Sequence, residues 1–256
     1  MKISIVTACY NSASTIKDTL KSIQMQTHPD IEHIVIDGGS TDGTLDILEQ
    51  NKEHITYLSS EPDNGLYDAM NKGIMKATGD VIGLLNSDDL FADAHALSHV
   101  ARALSDDTVD ACYGDLVYVH HDNIDDIARY WKSSTYDANS FAKGWIPAHP
   151  TFYVRKRIHD QHGMLFNLNY KLAADYEVLL RLLFTHRIKT DYIPEVMVKM
   201  RLGGATNKSL KNILRQNKEI MQALKQHQYP ISPIQLIGNK LADRVQQYRQ
   251  LNAYAQ

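Results

Sequence analysis

Three acidic clusters in this 256-residue chain have residue types and settings suited to chemistry. Asn86-Ser87-Asp88-Asp89 closes an apolar run at 81–85. Hard carboxylate oxygens at a strand exit suit Mg²⁺ or Mn²⁺, and a metal held there can bridge diphosphate oxygens and neutralise a leaving group. Taken alone, the same residues also read as a solvated turn with a helix-capping Asp. Asp37 ends a second apolar run, before Gly38-Gly39-Ser40. Its carboxylate suits a base N–H, and the glycines let the chain turn closely around a ligand; an ordinary strand-to-helix turn with Asp42 near the helix start is the competing reading. Asp175 and Glu177 precede the apolar stretch 178–183. A carboxylate there is either a cap favoured by the helix dipole or a general base for a hydroxyl.

These clusters need elements to position them. β-branched runs at 2–8, 31–37, 55–58, 81–85 and 110–119 read as strands, and helical patterns separate them: Ile16, Leu20 and Ile23, then Leu45, Ile47 and Leu48, then 67–77 and 92–104. This alternation predicts parallel pairing with right-handed crossovers and a sheet covered on both faces. In such sheets ligands sit beyond the carboxyl ends of the strands, where Tyr10-Asn11, Asp37 and Asp88-Asp89 all fall. Residues 122–144 read as polar and irregular. Helices are expected at 155–162, 175–186 and 209–226, a strand at 196–201, and an amphipathic C-terminal helix bearing Leu236, Leu241, Val245, Tyr248 and Leu251.

Hydrophobic residues make up 43% and charged residues 22%, the balance of a folded globular chain with one main domain. A net charge of -3 argues against nucleic acid as a partner. From Leu210 onward seven basic residues face two acidic ones, so a basic tail follows an acidic body. Cys9 and Cys112 lie in apolar runs and read as buried free thiols. Neither a leader peptide nor a membrane-length apolar segment is evident, which gives a cytoplasmic expectation. The absence of G-x-G-x-x-G and of the P-loop pattern weighs against dinucleotide and P-loop chemistry.

The ordered motifs Ser4 to Asn11, Ile34 to Gly43, Glu61 to Gly73 and Leu85 to Asp89 resemble the family 2 glycosyltransferases of the GT-A fold, over residues 1 to about 205. The resemblance implies an α/β, Rossmann-like catalytic domain with a mainly parallel central sheet flanked by helices. It would span 1–207, with a nucleotide-sugar half at about 1–118 and an acceptor half at about 119–207, followed by a helical extension at 208–256. It implies donor contacts from Ala8, Tyr10, Asn11, Asp37, Gly65, Asp68, Lys72, Asn86, Ser87, Asp88 and Arg201, with Mn²⁺ or Mg²⁺ at Asp88 and Asp89. Asn86 stands where the family's Asp-x-Asp motif has its first acid. Asp175 matches the family's catalytic base, with Glu177 in reserve and Ala174 where a Glu usually precedes it. His149 and Trp145 fall on the acceptor side.

The implied reaction is an inverting displacement from a nucleotide-diphosphate sugar, a UDP-sugar foremost, onto a hydroxyl of a glycan or lipid-linked saccharide in bacterial polysaccharide or glycolipid assembly. The basic tail, with Lys240, Arg244 and Arg249, either rests peripherally on an anionic membrane face or packs on its own domain or a twin subunit. A nucleotidyltransferase and a non-catalytic nucleotide- or carbohydrate-binding module are the alternatives; the first ordinarily shows a Gly-rich basic signature that Ala8-Cys9-Tyr10-Asn11 lacks.

Overall fold

The computed structural model describes residues 1–137, 139–143, 145–203, 209–230 and residue 238. Strands β1 (Ile3–Cys9), β2 (Ile31–Asp37), β3 (Tyr57–Ser60) and β4 (Val81–Leu84) pair in parallel in the order β3-β2-β1-β4. Every residue of β1 and β4 is buried, as near-continuous apolar strands in a sheet covered on both faces should be. Helices α1 (Ile16–Gln24) and α2 (Thr44–Gln50) pack Ile16, Leu20 and Leu48 on one face, and α3 (Leu66–Lys76) packs Ala69, Met70 and Ile74 on the other. α3 lies very close to β1: a Cβ on Gly73 would meet Val6 Cγ1 at 2.2 Å, so only glycine fits there.

Beyond β4 the pairing changes. The remaining elements are β5 (Asp89–Phe91), α4 (Ala96–Ala103), β6 (Ala111–His120), β7 (Asn123–Trp131), β8 (Tyr153–Arg155), α5 (Lys156–His162), α6 (Ala174–Leu180), β9 (Thr190–Arg201) and α7 (Leu210–Gln226). The sheet continues as β4-β8-β6-β9-β5, with β7 beside β6. Only β6 and β9 are parallel in this half; β8 runs antiparallel to both β4 and β6, β7 to β6, and β5 to β9. The expected mainly parallel sheet is therefore mixed, because after β4 the chain returns through short reversed strands instead of further helical crossovers.

Two segments differ from the sequence expectation for definable reasons. The stretch read as irregular contains β7, a strand whose face is largely unburied and whose Asp125 and Asp126 break the apolar alternation. Asp89, read as part of a turn, begins β5. Helix α6 runs on into a π-helical turn, Arg181–Thr185. α7 packs Ile220, Ala223 and Leu224 into the same core as α6, and Glu219 accepts the backbone N–H groups of Lys171, Leu172 and Ala173 at 2.9, 2.7 and 3.1 Å. The boundary placed at 207/208 and the amphipathic helix expected near the C-terminus lie outside the described residues. Both cysteines are buried and free. No described helix is long and apolar enough to cross a membrane.

Candidate active site

The parallel strands bring their carboxyl ends to one edge. Cys9 pairs with Asp37 at the ends of β1 and β2, and the Leu85 N–H continues the ladder by donating to the Val6 carbonyl at 3.0 Å. The antiparallel strands bring later residues to the same edge. Val81 faces Arg155 and Ile82 faces Val154, so the turn that leads into β8, with His149 in it, lies at the carboxyl end of β4. Asp89 faces Met200, and one step further sets Arg201 beside Asp88, whose carbonyl accepts from Arg201 Nη1 at 2.9 Å. The result is a cleft of about 1280 Å³ bordered by Ala8, Tyr10, Asn11, Gly65, Asp68, Asn86, Ser87, Asp88, His149, Asp175 and Arg201. That volume exceeds a typical single-ligand pocket.

Asp175 lies in the first turn of α6. Tyr67, at the start of α3, donates its hydroxyl to Asp175 Oδ1 at 3.1 Å, and His149 Nδ1 lies 3.5 Å from Oδ2. The carboxyl remains 23% exposed and so stays open to a ligand. Burial pushes the Tyr67 hydroxyl well above its ordinary value and the Asp175 charge adds to this, so Tyr67 stays protonated and donating. Burial lowers His149 although both Asp175 and Asp88 pull the other way, which leaves a neutral imidazole at pH 7 in the field of both acids.

On the opposite side, Tyr10 is 63% exposed and Asn11 adopts φ 49°, a left-handed conformation that Asn tolerates. The Asn11 side-chain oxygen accepts from Thr41 N–H at 2.9 Å, tying this loop to the one after β2. The hydroxyls of Ser12 and Ser87 lie 2.8 Å apart and join it to the Asn86-Ser87-Asp88 segment. Gly38 allows Asp63 to approach: a Cβ there would lie 2.6 Å from Asp63 Oδ2. Asp63 in turn accepts the Gly65 N–H, and Gly65 has φ +108°.

Five residues expected at the site stand elsewhere. Asp37 is fully buried behind the loop, where the Ser40 hydroxyl, Ser60 Oγ (2.6 Å) and the N–H groups of Gly39 and Ser40 all donate to it. Burial raises its pKa, but those hydrogen bonds outweigh it and hold the carboxyl below its usual range. Asp37 therefore shapes the loop and has no free edge for a base. Asp89 is 0% exposed, because neighbouring residues of an extended segment point to opposite faces. It lies under the cleft floor, where burial and the nearby Asp88 push its pKa well above the usual carboxylate value. Glu177, two residues beyond Asp175, is rotated about 200° around the helix. It is 2% exposed and bound to Arg181 (3.1 Å) and His227 (2.9 Å), which engages it structurally and removes it as a reserve base. Lys72 pairs with Glu61 at 3.1 Å and does not border the cleft. Trp145 packs against Tyr113 and Tyr136.

Tyr67 was not among the expected site residues although it stands inside the Glu61 to Gly73 motif; the register that would have flagged it, its position one residue before Asp68 on the first turn of a helix facing the cleft, is visible only once α3 is docked. Among the described residues no group of three or more His, Cys, Asp or Glu side chains gathers as a metal cage. A divalent cation bridging to diphosphate needs fewer protein ligands, often one or two carboxylates. Asp88 borders the cleft, and so does Asn86, whose Oδ1 is buried with no hydrogen-bond partner. An orphaned hard oxygen on a residue that shares the cleft border with a carboxylate fits such an ion.

The fold that carries this cleft has solved counterparts. S. aureus TarS 1-349 in complex with UDP-GlcNAc superposes with a TM-score of 0.66 at 18% identity over 89% of this chain. The mannosyltransferase PcManGT from Pyrobaculum calidifontis, in complex with GDP-Man and Mn²⁺, superposes with 0.64 at 18% identity over 93% of this chain and 68% of its own. The fold is GT-A. This chain spans 65% of that TarS fragment and 40% of a longer TarS chain. The PGL/p-HBAD biosynthesis glycosyltransferase Rv2957 of Mycobacterium tuberculosis is 30% identical over 209 residues, 80% of this chain and 78% of its own. Residues 4–165 match the family described as Glycosyl transferase family 2, and the chain belongs to that family. It is a glycosyltransferase, which sets the nucleotidyltransferase alternative aside.

Proposed function

We propose that the chain transfers a sugar, with inversion, from a nucleotide-diphosphate donor to a hydroxyl of a saccharide or lipid-linked saccharide. The observation that carries this reading is that Asp88 and Asp175 border one cleft, with His149 in the field of both. Tyr10 and Asn11, on the loop after β1 that Asn11 ties to the one Asp37 shapes, hold the nucleoside end. Asp88 and Asn86 Oδ1 would hold Mn²⁺ or Mg²⁺ with the donor diphosphate, and the ion supplies charge neutralisation for the departing nucleoside diphosphate. Arg201 fixes the Asp88 backbone from the side. Asp175, oriented by Tyr67 and His149, removes the proton from the acceptor hydroxyl as its oxygen attacks the anomeric carbon. A single displacement turns an α-linked donor into a β-linked product.

The donors in the solved relatives, UDP-GlcNAc and GDP-Man, support a nucleotide sugar and favour neither base. The biosynthetic roles named for relatives in M. tuberculosis and in Bacillus subtilis, where TuaG is 40% identical over 92 residues, support bacterial cell-surface glycan or glycolipid assembly. The test is Asp175→Asn, assayed across UDP-, GDP- and dTDP-sugars with Mn²⁺. Nucleotide binding, read as a thermal shift, should persist while kcat falls by about 10²–10⁴, the usual weight of a general base. Transfer at the wild-type rate would eliminate Asp175 as the base.

A further inference from the structure

β7 brings to the cleft wall a charge for which the transfer step has no use. Arg129 is 8% exposed and borders the cleft. Its Nε is buried without a hydrogen-bond partner, and it forms no ion pair among the described residues. A cation withdrawn from water without a counter-charge is costly, and such groups concentrate where a ligand supplies the missing charge. What the protein provides instead is an aromatic face. The guanidinium carbon stands 3.6 Å from the centroid of the Tyr118 ring, and Tyr118 stacks on Trp131 with centroids 6.3 Å apart and planes at 9°. Contact with the ring through the guanidinium carbon leaves the Nη donors for another partner, and a guanidinium fork matches the geometry of a phosphate or carboxylate.

The sheet order decides which substrate this would be. β1 carries the Tyr10-Asn11 loop, and between β1 and β7 lie β4, β8 and β6. On its other side Arg129 pairs with Tyr118, Tyr118 with Met200 and Met200 with Asp89, so three strand spacings also separate it from the Asp88-Asp89 segment. We propose that Arg129, held over the Tyr118 ring beside Trp131, is a subsite for an anionic group, phosphate or carboxylate, carried by the acceptor saccharide. This inference rests on the transferase reading above.

The test titrates glucose 6-phosphate, and glucose as its neutral control, into protein saturated with UDP, and repeats both titrations on Arg129→Met and Arg129→Lys. The wild type should bind the sugar phosphate at least tenfold more tightly than glucose. Arg129→Met should abolish that preference with UDP affinity unchanged, and its Tm should hold or rise because an unpaired buried charge is gone; Arg129→Lys should keep part of the preference. No preference in the wild type, an intact preference in Arg129→Met, or loss of UDP and sugar-phosphate binding together would each overturn the subsite. UDP binding by the wild type reads the donor site separately. If UDP fails to bind, the donor reading falls, and the sugar-phosphate titration without nucleotide still decides the role of Arg129.

Discussion

Asp88 and Asp89 are adjacent in sequence and opposite in chemistry. One borders the cleft; the other is sealed under it, its pKa raised by burial and by its neighbour's charge. Their amides should therefore behave differently. Asp88→Asn removes the cleft-facing carboxylate and should lower kcat/KM by at least about 10²-fold, as loss of an electrostatic group at a developing charge does. Asp89→Asn keeps the shape of a side chain that is fully buried and does not border the cleft, and should keep activity within about threefold, the expectation for a group that touches no substrate. Steady-state kinetics on the two variants checks this, and equal losses would contradict the assignment. At this scale the sequence was informative about residue type and silent about direction. Asp88 and Asp175 stand out by their positions at a strand exit and a helix start, but that Asp37, Asp89 and Glu177 face inward depends on strand alternation and helix rotation, and those are set by packing.

At the scale of elements, β1, β2, α3 and β4 were legible because continuous apolar runs and helical periodicity record burial on both faces. β7, β5 and β8 were not, because they are short or half-exposed and their pairing comes from distant partners. The mixed half of the sheet nevertheless builds the site, since antiparallel pairing carries His149 and Arg201 back to Asp88. α7 does comparable work on α6. Glu219 collects three N–H groups just ahead of Asp175 and also pairs with Arg215 at 2.9 Å. Glu219→Ala leaves those donors without a partner, each such loss being worth about 1–3 kcal/mol when buried. Tm should fall, amide exchange should rise at 171–173, and kcat should drop more than nucleotide affinity does. Unaltered exchange in that segment would show that the clamp does not hold it.

For the whole molecule the acid response includes two groups of β2 whose shifts are large. His33 is buried against Thr7 Oγ1 at 3.1 Å, and burial lowers its pKa from 6.5 to about 4. The unfolded chain takes up that proton near pH 6.5 and the folded one only near 4. Stability present above 6.5 is therefore lost as pH falls through this window, by at most about 1.4 kcal/mol per pH unit. Burial pushes Glu32 up, but hydrogen bonds from Lys2, Ser4 and Thr78 outweigh it and bring it to about 2 from 4.5. Its contribution is present above pH 4.5 and disappears toward 2. Urea midpoints between pH 8 and 3 should decline in these two stages, and a flat profile from pH 7 to 5 would count against the His33 stage.

Ile213, Gln216, Asn217 and Ile220 of α7 form part of the cleft wall, although α7 lies beyond the residues that match the family. A glycosyl donor poised for attack is also vulnerable to solvent, and hydrocarbon at its border lowers the local activity of water. On the proposed reading, the partitioning of each activated donor between productive coupling and wasteful hydrolysis would fall partly to a helix outside the family-matched residues. Two chains with identical acids in their clefts can differ in fidelity through this one border.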